Sequence, residues 1–256
     1  MKVVILAGGY GTRLSEETSV VPKPLVEVAG KPLLWYIMKT YSHWGFNDFI
    51  IASGYKSDKI KSYFANLAMA SDDFKVDLST GKVEILKKIA PDWKVTVIDT
   101  GIETMTGGRI KKAAEYIKDD TFMLTYGDGV SDINIRKLLD FHNKHGKIAT
   151  LTAVRMPRFG ILEMDGDLVT SFQEKRLDSS PFINGGYMVL SKEVLEYIDG
   201  DETPFETRPL QKLAEDGELC AYKYEGFWKC VDTLKDKKDL GEILERRDKV
   251  AEVWKD

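Results

Sequence analysis

The sequence predicts an α/β fold: a Rossmann-like, mostly parallel central sheet flanked by helices, followed by a smaller mixed α+β lobe. In the first 155 residues, short apolar runs alternate with segments whose apolar residues recur at helical spacing. The runs are apolar on both faces, which is typical of parallel strands covered by helices on each side. After residue 155 the pattern changes to paired short strands and charged helices, which indicates the smaller lobe.

The elements of the first part follow from these two periods. A continuous apolar strand is predicted at the start of the chain, and the remaining strands and helices are expected where apolar runs and helical spacing recur. The predicted strands are 2–7, 48–53, 83–86, 95–99, 121–126 and 148–154. The predicted helices are 32–45, 57–70, 109–118 and 133–146.

The second part begins with two short runs around the turn DGD, which predict a hairpin. GGYMVL and CAYKYEGFWKCVDT predict further strands, and helices are expected near 191–199 and 207–216. The chain closes on a charged segment from residue 234, which predicts an amphipathic helix. No internal repeat interrupts the sequence, so we expect one domain over 1–256.

Composition excludes several classes of protein. The net charge is −4, from 37 Lys+Arg and 41 Asp+Glu, so no basic surface for nucleic acid or an anionic membrane is expected. The two cysteines, Cys220 and Cys230, do not have the spacing of a metal or redox motif. No apolar stretch reaches the length of a membrane span and no signal peptide is evident, which predicts a cytoplasmic protein.

The stretch LAGGYGTRL, residues 6–14, follows the first predicted strand and places three glycines beside Arg13. Ligands of α/β proteins bind at the carboxyl ends of the strands, and glycines let a phosphate or a base approach the backbone. The third glycine of the dinucleotide fingerprint is missing, and no P-loop Gly-Lys-Ser/Thr follows. The loop is either a ligand cradle or a tight structural turn, and its spacing leaves both open.

Lys23 lies between Pro22 and Pro24. Each proline fixes its own φ and pushes the preceding residue towards extended geometry, which would aim the long lysine side chain. A lone PKP is an ordinary surface loop, but the glycine loop ten residues earlier favours a binding role.

Two aspartates follow apolar strand-like runs. Asp128 lies between Gly127 and Gly129, and a carboxylate at the end of a strand suits Mg²⁺; the other interpretation is a turn residue. Asp232 could share that metal. On spacing alone, however, Asp232 or Thr233 is more simply the N-cap of the last helix.

Taken in order, LAGGYGTRL, PKPLVEVAGKPLL, YGDG, FQEK, NGG and VDT resemble the sugar-1-phosphate nucleotidyltransferases. The resemblance runs from residue 2 to about 240 and implies the nucleotide-diphospho-sugar transferase fold. It implies in-line attack of a sugar phosphate oxygen on the α-phosphorus of a nucleoside triphosphate, with pyrophosphate leaving. Stretches such as DTGIETMTGGRIKK, TYGDGVSD and GFWKCVDTLKDKK imply CTP and α-D-glucose 1-phosphate as substrates.

The resemblance also implies residue roles, with Arg13, Lys23 and Asp128 as the catalytic set. The implied nucleotide-binding residues are Leu6, Ala7, Gly8, Gly9, Gly11, Thr12, Arg13, Lys23, Thr104, Gly108, Arg109, Gly127 and Asp128. The implied sugar-phosphate-binding residues are Gly129, Gly160, Glu174, Lys175, Asn184, Gly185 and Gly186. Asp128 and Asp232 would hold Mg²⁺. The alternatives are another nucleotide such as UTP or dTTP, another phosphorylated acceptor, or a nucleotide-sugar-binding regulator without turnover.

The implied division of the chain is 1–155 for the nucleotide, 156–233 for the sugar phosphate and 234–256 as a C-terminal helix, in a homo-oligomer. One motif departs from the family pattern. The usual Glu-Lys-Pro is Glu174-Lys175-Arg176 here. Without the fixed φ of the proline, the backbone after Lys175 is less constrained, which would affect the orientation of Lys175 and the sugar preference.

Overall fold

The computed structural model describes residues 1–156, 161–165, 168–173, 181–246 and 252–254, with backbone alone for 161–165 and 168–173. The strands are β1 (Val3–Ala7), β2 (Glu27–Val28), β3 (Lys31–Pro32), β4 (Asp48–Ser53), β5 (Asp73–Asp77), β6 (Lys82–Lys87), β7 (Lys94–Asp99), β8 (Thr121–Tyr126), β9 (Gly129–Ser131), β10 (Ala149–Arg155), β11 (Ile161–Asp165), β12 (Leu168–Gln173), β13 (Phe182–Ser191), β14 (Leu219–Tyr224) and β15 (Trp228–Cys230).

Helices cover the sheet and connect its strands. The α-helices are α1 (Ser15–Thr18), α2 (Leu33–His43), α3 (Ser57–Ser71), α4 (Thr106–Ala114), α5 (Ile135–His145), α6 (Arg208–Glu215) and α7 (Leu234–Glu245). Short 3₁₀ helices are Thr12–Leu14, Lys23–Leu25, Lys192–Tyr197 and Glu252–Trp254. Within the described ranges, none of these helices is long and apolar enough to cross a bilayer.

The central sheet has seven strands in the order β14-β10-β13-β8-β1-β4-β7. Strand β1 pairs in parallel with β4 and β8, and β4 pairs in parallel with β7. Strand β13 is antiparallel to both of its neighbours, whereas β10 and β14 are parallel. The predicted α/β class with a mostly parallel sheet is confirmed. Because β7, β4, β1 and β8 share a direction, the loops that follow them meet at one edge of the sheet.

The two faces of the sheet bury separate apolar clusters. Val3 and Ile5 belong to the cluster formed with α2, α3 and α5, while Val4 and Leu6 belong to the cluster formed with α4 and α6. This alternation explains why the strand is apolar at every position. A third cluster joins α2, α7 and Trp254.

The structure differs from the predicted elements at several points. The segment predicted as strand 83–86 is part of β6, which pairs with the unpredicted β5 in a separate two-stranded hairpin. Helix α4 begins at Thr106, three residues before the predicted start, and it includes a glycine pair that propensity alone disfavours. Tertiary contact supports this first turn, since the Gly107 amide donates to the Thr203 carbonyl at 2.9 Å. The last helix ends at Glu245.

Strands β13 and β14 belong to the central sheet although they follow residue 155. Pairings between distant segments decide this membership, and local periodicity does not reveal them. The predicted hairpin around DGD is formed by β11 and β12. The central sheet thus includes strands from both sides of residue 155, where the sequence predicts a division of the chain. That one side binds the nucleotide and the other the sugar phosphate stays a prediction.

A buried histidine under the sheet gives the fold an expected pH dependence. His142 Nδ1 lies 2.9 Å from Thr150 Oγ1, and burial, with His145 nearby, lowers the pKa of His142 to about 4. The unfolded chain takes up this proton near pH 6.5, so the stabilisation is present above that pH and is lost as pH falls towards 4. We expect the free energy of unfolding to fall by about 2 kcal/mol from this group between pH 7.5 and 5.

Urea unfolding of the wild type and of His142→Gln at several pH values measures this effect. The variant should show a flatter dependence on pH, because it has no proton to take up at this position. His43→Gln changes a histidine whose ring packs edge-on against Trp44, and it serves as the matched control. Equal pH dependence in the wild type and His142→Gln would contradict the assignment.

Candidate active site

A cavity of about 410 Å³ opens at the edge of the sheet where the parallel strands end. Its walls are the glycine loop after β1, the segment 102–106 that leads into α4, and the end of β8. Helix Lys23–Leu25 contributes Lys23 and Pro24 to the same cavity. Segments from four parts of the chain therefore converge where an α/β sheet binds ligands.

Arg109 holds two of these walls together. Its guanidinium donates to the carbonyls of Gly8 at 3.1 Å, Gly101 at 2.8 Å and Ile102 at 3.1 Å, and it also contacts Thr100 Oγ1. A Cβ at Gly8 would overlap this guanidinium, so a larger residue there would have to displace Arg109. Burial lowers the pKa of Arg109, and nearby aspartates oppose that effect. Arg109 thus fixes the position of these two backbone segments relative to each other, which defines the shape of the cavity.

Four charged groups meet at the end of the cavity formed by β8. The Lys23 ammonium lies 2.6 Å from Asp128 Oδ2 and 2.8 Å from Asp232 Oδ1. Arg13 Nη1 donates to Asp232 Oδ2 at 2.8 Å. Lys23 and Asp232 are only 12% and 9% exposed, so their interaction is weakly screened by solvent. Residues separated by up to 219 positions in sequence are therefore brought into one cluster.

The Lys23 ammonium is held in its charged form. Burial lowers the pKa of Lys23, but the charge of Asp128 and the hydrogen bonds to Asp128 and Asp232 raise it, and the net effect is a raised pKa. The side chain consequently carries a positive charge throughout the neutral range.

The structure separates the two interpretations of residues 232 and 233. Thr233 is the N-cap of α7: its hydroxyl accepts from the Asp236 amide at 3.2 Å, and the Asp236 carboxylate accepts from the Thr233 amide at 3.0 Å. Asp232 points instead to Lys23 and Arg13. Thr233 therefore caps the helix, and its neighbour Asp232 belongs to the charged cluster.

A set of possible metal ligands surrounds the lysine. Ligand atoms of Asp128, Cys230 and Asp232 lie within 4.8 Å of one another. The carboxylate oxygens are the donors that Mg²⁺ prefers, whereas a sulfur atom suits softer metals. The two aspartates thus fit the predicted magnesium pair, and a cationic ammonium group already lies between them.

Four residues predicted for the sugar phosphate are not part of the cavity lining: Gly129, Asn184, Gly185 and Gly186. Gly186 packs against the ring of Tyr126, which does line the cavity. Asn184 Oδ1 accepts from the Gly186 amide at 2.9 Å, and the Gly185 carbonyl accepts from Trp228 Nε1 at 2.7 Å. The Gly129 carbonyl accepts from the Tyr187 hydroxyl at 2.9 Å. These contacts fix the irregular stretch of β13 around residues 184–187, where the pairing with β10 shifts register. Three further predicted residues lie outside the described residues: Gly160, Glu174 and Lys175.

Most residues predicted for the nucleotide line the cavity. Those that do so are Leu6, Ala7, Gly8, Gly9, Gly11, Thr12, Arg13, Lys23, Thr104, Arg109, Gly127 and Asp128. Gly108 does not. A Cβ at Gly108 would lie 2.6 Å from Asp201 Cα, so this glycine allows α4 to pack against that segment.

The prediction missed several lining residues. They are Tyr10, Pro24, Ile102, Glu103, Met105, Thr106 and Tyr126. Each lies within two positions of a predicted residue, so the sequence identified the correct loops. The direction in which each side chain points depends on the packing of the loop, which residue type does not reveal.

A comparison with family models matches residues 2–247 to the nucleotidyl transferase model. The chain belongs to the nucleotidyl transferase family. The resemblance drawn from the motifs is thereby confirmed, and the fold of a nucleotidyl transferase accounts for the cavity at the carboxyl ends of its strands.

Curated relatives match this nucleotidyl transferase over nearly its whole length. It is 50% identical over 256 residues to the glucose-1-phosphate cytidylyltransferase of Salmonella typhi, covering 99% of this chain and 100% of that protein. It is 44% identical to the probable glucose-1-phosphate cytidylyltransferase of Bacillus subtilis, with the same coverage. Both relatives therefore share the complete described domain.

Solved structures show the same fold. HddC from Yersinia pseudotuberculosis superposes with a TM-score of 0.70 and 28% identity, over 94% of this nucleotidyl transferase and 98% of that chain. A putative glucose-1-phosphate thymidylyltransferase from Bacillus anthracis gives a TM-score of 0.69 at 18% identity, over 96% of each chain. The second likeness concerns the fold alone.

Proposed function

We propose that the protein transfers a cytidylyl group from CTP to α-D-glucose 1-phosphate, giving CDP-glucose and pyrophosphate. The observation that carries the proposal is the 50% identity to the Salmonella typhi protein of that name over its full length. The cavity supports the reaction class, because two cations and two carboxylates meet at one of its ends.

In the proposed reaction an anionic oxygen of glucose 1-phosphate attacks the α-phosphorus, and the bond to pyrophosphate breaks. The nucleophile is already ionised, so no general base is required. Catalysis then depends on positioning and on stabilising negative charge. Lys23 would contact the phosphates at the reacting centre, and Arg13 would stabilise the leaving pyrophosphate.

Asp128 and Asp232 would hold Mg²⁺ with the triphosphate oxygens. Their carboxylates fit the ion by donor type, and the position of the Lys23 ammonium indicates that a positive charge is favoured there. When bound, Mg²⁺ supplies positive charge to the phosphate oxygens. Lys23, which contacts both carboxylates, would contact the triphosphate from the same end of the cavity.

A nucleotide panel tests the function. The purified protein is incubated with Mg²⁺, glucose 1-phosphate and each of CTP, UTP, dTTP, ATP and GTP, and pyrophosphate release is measured. We expect kcat/KM to be highest with CTP. Equal rates with UTP or dTTP would contradict the substrate assignment, and the absence of turnover with every nucleotide would favour a binding protein.

We also propose that the protein acts in the cytoplasm as a homo-oligomer. The β5–β6 hairpin supports the assembly. Phe74 pairs with Ile85 and Val76 pairs with Val83, and these four apolar side chains are 38–48% exposed. A two-stranded hairpin is marginally stable alone in water, so a second copy of the chain would stabilise its apolar face.

A lysine on this apolar face should weaken the assembly. We expect Ile85→Lys to shift the protein towards monomer, because a charge would be buried against the partner. Light scattering after size-exclusion chromatography measures the mass. Glu84→Lys, on the opposite face of the same strand, is the matched control and should leave the mass unchanged. An unchanged mass for Ile85→Lys would contradict the role of the hairpin.

A further inference from the structure

The cavity contains a carboxylate that the proposed chemistry does not use. Besides Asp128, which contacts Lys23, the lining includes Glu103. Glu103 is exposed, and its Oε1 accepts from the Tyr10 hydroxyl at 2.7 Å. A carboxylate repels phosphate, so Glu103 suits a part of the ligand that donates hydrogen bonds.

The position of Glu103 is defined by contacts on both sides of the cavity. Tyr10 belongs to the glycine loop, and its ring lies 5.2 Å from the ring of Tyr55. The segment that carries Glu103 is bonded through the Gly101 and Ile102 carbonyls to Arg109, which also bonds the glycine loop. Two separate connections therefore join the glycine loop to the segment 102–106. One is Arg109, and the other is the hydrogen bond from Tyr10 to Glu103.

The chemistry of pyrimidine bases matches such an acceptor. Cytosine carries an exocyclic amine that donates hydrogen bonds, whereas uracil and thymine carry a carbonyl oxygen at the same ring position. A carboxylate that faces this ring position therefore attracts the cytosine amine and repels the carbonyl oxygen of uracil or thymine. Sites that hydrogen-bond a substrate group discriminate strongly against analogues lacking it, because the protein group is then left unpaired.

We propose that Glu103 selects cytosine by accepting a hydrogen bond from its exocyclic amine, with Tyr10 as the residue that positions the carboxylate. The proposal rests on the proposed function, since it assigns the base preference of that same site. The Tyr10 hydroxyl leaves Oε2 of Glu103 for the ligand. The hydrogen bond from Tyr10 also keeps the carboxylate over the cavity when no nucleotide is bound.

Glu103→Gln is the decisive variant. The glutamine amide keeps an acceptor for cytosine and adds a donor for the carbonyl of uracil or thymine. We expect the ratio of kcat/KM for CTP to that for UTP to fall roughly 10- to 100-fold, mostly through KM. Tyr10→Phe should lower the same ratio by a smaller factor, again mostly through KM, because the carboxylate is then less firmly positioned.

Asp216→Asn is the matched control, because Asp216 also accepts from a tyrosine hydroxyl, that of Tyr197 at 3.2 Å, outside the cavity. In Asp216→Asn the ratio of kcat/KM for CTP to that for UTP should equal the wild-type ratio. Binding of CDP and UDP is measured by calorimetry on the same proteins, so that base preference is read without turnover. Loss of CDP preference in Glu103→Gln with no turnover in the wild type would support this proposal and contradict the proposed function.

Two results would overturn the role of Glu103. The first is an unchanged CTP to UTP ratio and unchanged CDP preference in Glu103→Gln. The second is an unchanged base ratio together with an altered preference for CTP over dCTP, which would assign the carboxylate to a ribose hydroxyl.

Discussion

Replacing Asp128 with asparagine should lower kcat roughly 10²- to 10³-fold, the range for losing one preorganised electrostatic group. The Asp128 carboxylate lies 2.6 Å from the Lys23 ammonium and is one of the two that would hold Mg²⁺. Asparagine keeps the shape of the side chain but carries no charge, so it should weaken metal binding and leave Lys23 with Asp232 alone. Steady-state kinetics with CTP and glucose 1-phosphate, at several Mg²⁺ concentrations, measures the change.

The fold of this variant should persist, which keeps the kinetic result interpretable. The backbone of Asp128 stays bonded, since its carbonyl accepts from the Val231 amide at 3.0 Å. Asp92→Asn removes an exposed carboxylate far from the cavity lining and is the matched control. A kcat for Asp128→Asn within about threefold of wild type would mean that the site is misassigned.

Replacing Lys23 with methionine should also lower kcat roughly 10²- to 10³-fold. Methionine keeps much of the apolar stem and removes the charge that would contact the phosphates. The variant leaves Asp128 and Asp232 facing each other without the ammonium between them. Like charges in a half-buried site repel, so we expect a lower Tm in the absence of divalent cations.

Added Mg²⁺ should raise the Tm of Lys23→Met more than that of the wild type, because the ion replaces the missing positive charge. Differential scanning fluorimetry with and without Mg²⁺ reads this effect separately from turnover. Lys2→Met is the matched control, since Lys2 pairs with Asp48 at 2.8 Å outside the cavity. Near-normal kcat together with an equal response to Mg²⁺ would exclude the assigned role of Lys23.

The sequence predicts the fold class and two members of the charged cluster, Lys23 and Asp128, because these signals are local. Apolar runs of a buried sheet are visible without partners, and Lys23 and Asp128 stand beside prolines or glycines that mark their loops. The role of Asp232 was ambiguous from spacing, and only the capping contacts of Thr233 separate the two interpretations.

Other features depend on contacts between distant segments, which local patterns do not encode. The resemblance implies that Arg109 binds the nucleotide, yet the hydrogen bonds of its guanidinium go to backbone carbonyls from two walls of the cavity. Strand β5 was missed because its sequence, DFKVD, is exposed on both faces and resembles a polar loop. The antiparallel place of β13 in the sheet likewise follows from long-range pairing.

The cluster of Arg13, Lys23, Asp128 and Asp232 has a consequence for how the protein meets its substrate. Two positive and two negative side chains cancel, so the far field of this end of the cavity is close to that of a neutral surface. This end of the cavity therefore exerts little electrostatic attraction on a highly charged anion that is still distant. We expect recognition to occur at contact range, where the phosphate oxygens would meet individual donors and the geometry of the ligand would decide whether it stays bound.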